Sequence, residues 1–197
     1  MEQRQIKELP KSVGEEVVSV DVTKVLTETD VLDRVNLRQA GRLTKEPLKL
    51  FVSYAHEDEK WRAKLAPNLA LLEREGLVEV WCDLQIKPGD KWDNEIKRKL
   101  EQTDLYLILM STDLLVSEYV QKTELAIARQ RHEKRQARLV PVVVRRCSWA
   151  NYLGQIEGLP KGGRPVKEWT DKDQAFHNVE TGLRLAISEM YALRGRS

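Results

Sequence analysis

Two cysteines, two phenylalanines and three histidines are all that this chain of 197 residues carries of those types, and each scarcity closes off a chemistry. Cys82 and Cys147 lie far apart and neither belongs to a CxxC pair. A disulfide-stapled fold is not expected, and a reduced, cytoplasmic setting is the simplest reading. His56, His132 and His177 show no HExxH or similar spacing, so no zinc site is expected. No apolar run approaches the roughly 20 residues that span a bilayer, and the opening Met1–Gln5 leads into mixed charge rather than a secretory core. Lysine and arginine number 33 against 31 acids, a net charge of +2. The basic residues are scattered among the acids, whereas a nucleic-acid footprint needs a clustered basic face. Neither GxGxxG nor GxxxxGK[ST] occurs, which argues against a dinucleotide oxidoreductase or a P-loop NTPase.

What is present is an alternation. Hydrophobic residues make up 41% and charged residues 32%, a balance that suits one globular domain with an appendage. Strands are expected at Leu48–Tyr54, Leu77–Trp81, Asp104–Ser111 and Arg138–Val144, with a fifth at Arg164–Trp169. The run Leu139–Val144 is nearly all apolar, as a strand covered on both faces should be. Between them lie helical patterns. Trp61, Leu65, Leu69 and Leu72 form a stripe within Glu57–Glu75, which Gly76 ends as a C-cap residue would. Further helices are expected at Trp92–Glu101, Glu118–Glu133 and Asp171–Tyr191. Strands alternating with helices imply parallel pairing and right-handed crossovers. The expected fold is a flavodoxin-like, doubly wound α/β sheet of five strands in the order 2-1-3-4-5. Residues 1–47, with a short alternating stretch at Val17–Val22, lack a second apolar layer and read as an extension or the end of a preceding domain. Residues 48–192 form the domain and 193–197 a tail.

Ligands of such sheets bind where loops gather above the carboxyl ends of the strands. The first strand stops abruptly at Ser53-Tyr54, followed by the acids Glu57, Asp58 and Glu59. The segment Cys82–Lys91 after the second strand is about ten residues long, against the usual two to six, and carries the Pro88-Gly89 turn signature. A long loop at that edge favours function, although it is also an ordinary strand–helix connection. Trp92 begins the apolar stripe Trp92-Ile96-Leu100 and equally offers an aromatic platform beside the loop. Ser117 suits a helix cap. His56 has no evident base or nucleophile to pair with. Asp113 stands where a phosphoacceptor receiver domain would need an acid, but the matching lysine has no counterpart.

Taken together, Leu48–Glu59 and Cys82–Asp90 resemble the first two sequence boxes of the Toll/interleukin receptor (TIR) domain family. Ser117-Glu118-Tyr119 with Glu124-Leu125 resembles its third helix, and Ala175-Phe176 falls where the family often has an aromatic box. The phrase Pro88-Gly89-Asp90-Lys91-Trp92 is most similar to bacterial members. The resemblance, spanning about Leu48 to Tyr191, implies an enzyme that takes NAD+ as substrate, needs no cofactor or metal, and releases nicotinamide to form linear or cyclic ADP-ribose. It implies Glu124 as the catalytic carboxylate, an expected surface-edge residue of little weight in stability. Trp92, Tyr119, Tyr54 and Ser53 become candidate substrate contacts. Asp83, Leu84, Ile86, Lys87, Pro88 and Gly89 become loop or interface residues, joining TIR domains head to tail without nucleic acid or membrane. One departure stands out: the turn before the glutamate carries Val120 and Gln121 where many members have an aromatic or a cysteine. The alternative is a TIR module that signals by homotypic assembly without catalysis.

Overall fold

The computed structural model of the chain describes residues 46–82 and 92–194, and for residues 92–95 the backbone alone. The expected extension up to residue 45, with its stretch at Val17–Val22, lies outside the described residues, as do the loop residues Asp83, Leu84, Ile86, Lys87, Pro88 and Gly89.

Four strands build one parallel sheet: β1 (Leu48–Ser53), β2 (Val78–Cys82), β3 (Leu105–Met110) and β4 (Arg138–Val143). Their order is β2-β1-β3-β4, the expected 2-1-3-4 of a flavodoxin-like α/β fold. The register sets Ser53 of β1 against Ile108 of β3, and Leu105 against Arg138 of β4. Successive side chains of a strand point to opposite faces, so each buried strand feeds two cores. Leu48, Leu50 and Val52 join Leu105, Leu107 and Leu109 on one face, while Phe51 joins Tyr106, Ile108 and Met110 on the other. Both faces are apolar because helices cover both.

The first face is covered by α1 (Glu59–Arg74) and the long α6 (Lys172–Arg194). The expected stripe Trp61, Leu65, Leu69 and Leu72 is the buried face of α1. Gly76, at φ +65°, ends that helix. Its N–H donates to Glu73 and that of Leu77 to Leu72, the paired bonds that satisfy the last helical carbonyls when glycine takes the left-handed conformation. The second face is covered by α2 (Trp92–Glu101), the short α3 (Thr112–Val116), and a helix that starts with a π turn at Val120–Glu124 and continues as α4 (Leu125–Glu133).

The fifth strand expected at Arg164–Trp169 is corrected. That segment holds a 3₁₀ turn at Val166–Glu168, and among the described residues the sheet has four strands. The position beside β4 is filled instead by Leu159, whose N–H donates to Pro141 and whose carbonyl accepts from Val143. Only one residue pairs there, because Pro160 follows with no N–H to extend a ladder. Pro141 is tolerated inside β4 for a related reason. Its carbonyl faces Leu159 rather than β3, so its missing N–H falls on the outer side of the strand. The chain from Ala150 to Gly163, including α5 (Ala150–Leu153), folds over this edge with Trp149 packed on Gly158 and Gly163.

Candidate functional site

Ser53 and Glu124, 71 residues apart in sequence, meet at the carboxyl edge of the sheet. The Ser53 hydroxyl donates to Glu124 Oε2 at 2.5 Å. A bond of that length to a carboxylate is of the strong, charge-assisted kind. Ser53 closes β1 on the same face as Phe51, which is the face the π turn covers. Glu124 is the last residue of that turn. The N–H of Leu125 donates to Val120, five residues back, so the turn holds one residue more than an α-helix. Val120 and Leu125 both lie in the second core, and Glu124 reaches the end of β1. Ser53 is 2% exposed and Glu124 3%. The expectation of a surface-edge carboxylate is thus corrected: a burial this deep makes the hydrogen-bonding of Glu124 matter for stability as well. π turns are rare and concentrate at functional sites.

The remaining expected residues divide. Tyr54 is buried next to Ser53, with the Arg62 guanidinium 5.8 Å from its ring centre. Arg62 is itself held by a forked pairing with Glu59, and that hydrogen bonding keeps the Glu59 carboxyl below its usual range. Tyr119, one residue before the π turn, packs half-buried against the second core. Trp92 opens α2; its side chain lies outside the described residues. Ser117 acts as the expected cap, its hydroxyl 3.5 Å from the N–H of Val120. His56 is exposed in a 3₁₀ turn.

Sequence reasoning passed over a second cluster on the same edge. Asp58, fully buried, accepts a hydrogen bond from the Ser111 hydroxyl and another from Arg145 Nε at 2.7 Å. Arg145 also pairs with Asp113, and these carboxylates push its guanidinium's pKa upward. Ser111 in turn caps α3 by accepting from the Leu114 N–H at 3.1 Å. Asp113, set aside above as a receiver-type acid, is thereby an ion-pair partner. The cluster ties together the segments that follow β1, β3 and β4. The signal that singled out Ser53, a polar residue ending an apolar run, applies equally to Ser111 after Leu105–Met110 and to Arg145 after Val142–Val144. Nearby, burial raises the Cys147 thiol. Among the described residues no group of histidine, cysteine and carboxylate side chains could hold a metal ion, and no helix is long and apolar enough to cross a membrane.

The family model for the TIR domain matches residues 50–178, the stretch that contains β2, β3, β4, most of β1 and both polar clusters. The chain belongs to the TIR domain family. An uncharacterized Sinorhizobium fredii protein, y4lF, is 33% identical over 142 residues, covering 72% of this chain. This chain spans only 44% of that relative's length. The crystal structure of the TIR domain of the Toll-related receptor TRR-2 from Hydra magnipapillata is 20% identical, with a TM-score of 0.46, and covers 68% of this chain and 97% of its own. In this TIR domain the residue one π turn before Leu125 is Val120, which is buried in the core.

Proposed function

We propose that this TIR domain cleaves NAD+ at the bond between nicotinamide and ribose, with Glu124 as the catalytic carboxylate. The observation that carries the reading is a buried glutamate, carried on a π turn and bonded by Ser53, at the edge of the sheet where ligands of such folds bind. The nicotinamide leaving group is already cationic. When the C1′–N1 bond breaks, its electron pair passes to the ring nitrogen and neutral nicotinamide departs without a general acid. The positive charge moves to the ribose, and a fixed carboxylate in a water-poor site stabilises it. A water then adds at C1′ and loses a proton to give ADP-ribose; attack by an adenine nitrogen of the same molecule would give a cyclic product instead. Trp92, Tyr119 and Tyr54 are the candidate contacts for the nicotinamide ring. We further propose a cytoplasmic setting and head-to-tail assembly with other TIR domains through the Cys82–Lys91 loop.

One observation favours a second reading. The turn before Glu124 carries Val120, buried in the core, and Gln121 where many TIR family members have an aromatic or a cysteine, which suits a module that assembles without catalysis. Incubating concentrated protein with NAD+ and following nicotinamide discriminates the two. The expected result is release by the native protein and loss of at least about a hundredfold in Glu124→Gln, in line with the removal of one preorganised electrostatic group. Equal release by a folded Glu124→Gln protein would remove Glu124 from catalysis. No release by either would leave the assembly module as the function.

A further inference from the structure

We propose that Ser53 is a positioning residue for Glu124 rather than a ligand of the substrate; the inference rests on the reading of Glu124 as the catalytic carboxylate. A serine hydroxyl has one proton to donate, and that of Ser53 is directed to Glu124 Oε2 at 2.5 Å. Ser53 ends β1, an inner strand paired on one side with β2 and on the other with β3, where it stands opposite Ile108.

Glu124 is placed quite differently. Its backbone belongs to a π turn, a locally widened segment with poorer helical geometry than its neighbours. Its side chain has three torsions, the last of them broad and nearly two-fold. A carboxylate on such a tether does not keep one orientation by itself. The bond from the end of a central strand anchors Oε2 relative to the sheet edge. Reacting groups must be held to within a fraction of an ångström, and a displacement of about 1 Å can cost on the order of a hundredfold in rate. The effect of losing Ser53 should therefore fall on the chemical step and leave binding of NAD+ nearly unchanged.

Steady-state nicotinamide release by Ser53→Ala, Ser53→Thr and native protein tests this. Expected for Ser53→Ala is a kcat lowered roughly 10- to 100-fold with KM within about twofold. Ser53→Thr keeps the hydroxyl and should recover kcat to within a few-fold of native. Should the added methyl unfold that variant, Ser53→Cys replaces it: near in size but a weak donor, it should follow the alanine protein. A KM raised with kcat unchanged would make Ser53 a substrate ligand and overturn the inference. So would unchanged kinetics, or a cysteine variant as active as native. Thermal midpoints of Ser53→Ala, Glu124→Ala and the double variant give a readout independent of activity. The double variant should lose clearly less than the two single losses added together, and strict additivity would also overturn the inference. A native protein that releases no nicotinamide would instead remove the underlying reading of Glu124, a failure distinct from all of these.

Discussion

Arg145 offers the sharpest test of how the carboxyl edge is held together. Its guanidinium bonds two carboxylates, of which Asp58 is fully buried while the Asp113 side chain is 37% exposed. Replacing Arg145 by methionine keeps much of the side-chain stem but leaves Asp58 with its charge in the interior and a single donor, Ser111. Breaking a buried ion pair from one side costs about 3–5 kcal/mol. Arg145 is itself 27% exposed, so water reaches part of the gap and about 2–3 kcal/mol is the better expectation. Asp113→Ala removes only the exposed partner and should cost about 0.5 kcal/mol. At roughly 2–4 °C per kcal/mol for a domain of this size, thermal unfolding followed by circular dichroism should show Arg145→Met melting about 4–12 °C early and Asp113→Ala within about 2 °C of native. Because the cost comes from an orphaned charge, adding Asp58→Asn to Arg145→Met should recover at least half of the loss. An Arg145→Met midpoint within 2 °C of native, or a double variant less stable than the single, would refute the reasoning.

Gly163 lies at φ +66°, and a Cβ there would come within 2.6 Å of Trp149 Cζ2; Gly163→Ala should lower the midpoint by at least about 4 °C, combining backbone strain with overpacking. Gly154 shares the positive φ, at +63° with ψ −126°, but has open space around it, so Gly154→Ala should lose only the backbone part, about 1–3 kcal/mol; a Gly163→Ala loss smaller than that at Gly154 would dismiss the Trp149 contact. Tyr106 is fully buried with its hydroxyl donating to the Leu100 carbonyl, and burial pushes its phenol up to about 12. Since the folded-state value lies above the ordinary 10, its contribution to stability is whole at neutral pH and is lost as pH climbs from about 10 through 12. Absorbance titration should find one late-ionising tyrosine that disappears in Tyr106→Phe, and uniform ionisation near 10 would refute the assignment.

Much of the fold was legible because apolar residues repeat at clean periods. The ends of the four strands fall within a residue or so of the expected ones, and the α1 stripe from Trp61 to Leu72 is buried as its spacing requires. The failure at Arg164–Trp169 has a definite cause. Val166 is buried, so the segment does carry an apolar anchor. It nevertheless sits between Pro165 and the half-buried Trp169, and the N–H groups of Glu168 and Trp169 turn back to Pro165 and Val166, while that of Lys167 reaches the Val144 carbonyl just past β4 without starting a ladder. Short apolar runs beside proline do not distinguish a strand from a turn that buries one side chain. The Asp58–Ser111–Arg145 cluster was missed for another reason. Its members are polar residues at the ends of three separate apolar runs, and only the strand order, β1 beside β3 beside β4, makes them neighbours.

Glu124 shows the limit of periodicity most clearly. The default for a glutamate in a helix such as Glu118–Glu133 is a solvated carboxylate, yet Glu124 is 3% exposed and bonded by Ser53. The N–H of Leu125 reaches back five residues to Val120, so the position of Glu124 is not the one that regular α-helical spacing gives it. The two arrangements place the same side chain in different media. At a solvated surface its charge would be screened by water, whereas in the interior an interaction with a developing positive charge is several times stronger. Burial alone would make such a carboxylate a liability. Here a donor that offsets part of the cost is carried by the end of a central strand, so a group that stabilises the buried carboxylate also helps to orient it. That coincidence of roles is what a preorganised electrostatic site requires, and it arises from a local departure from helical regularity that no hydrophobic pattern encodes.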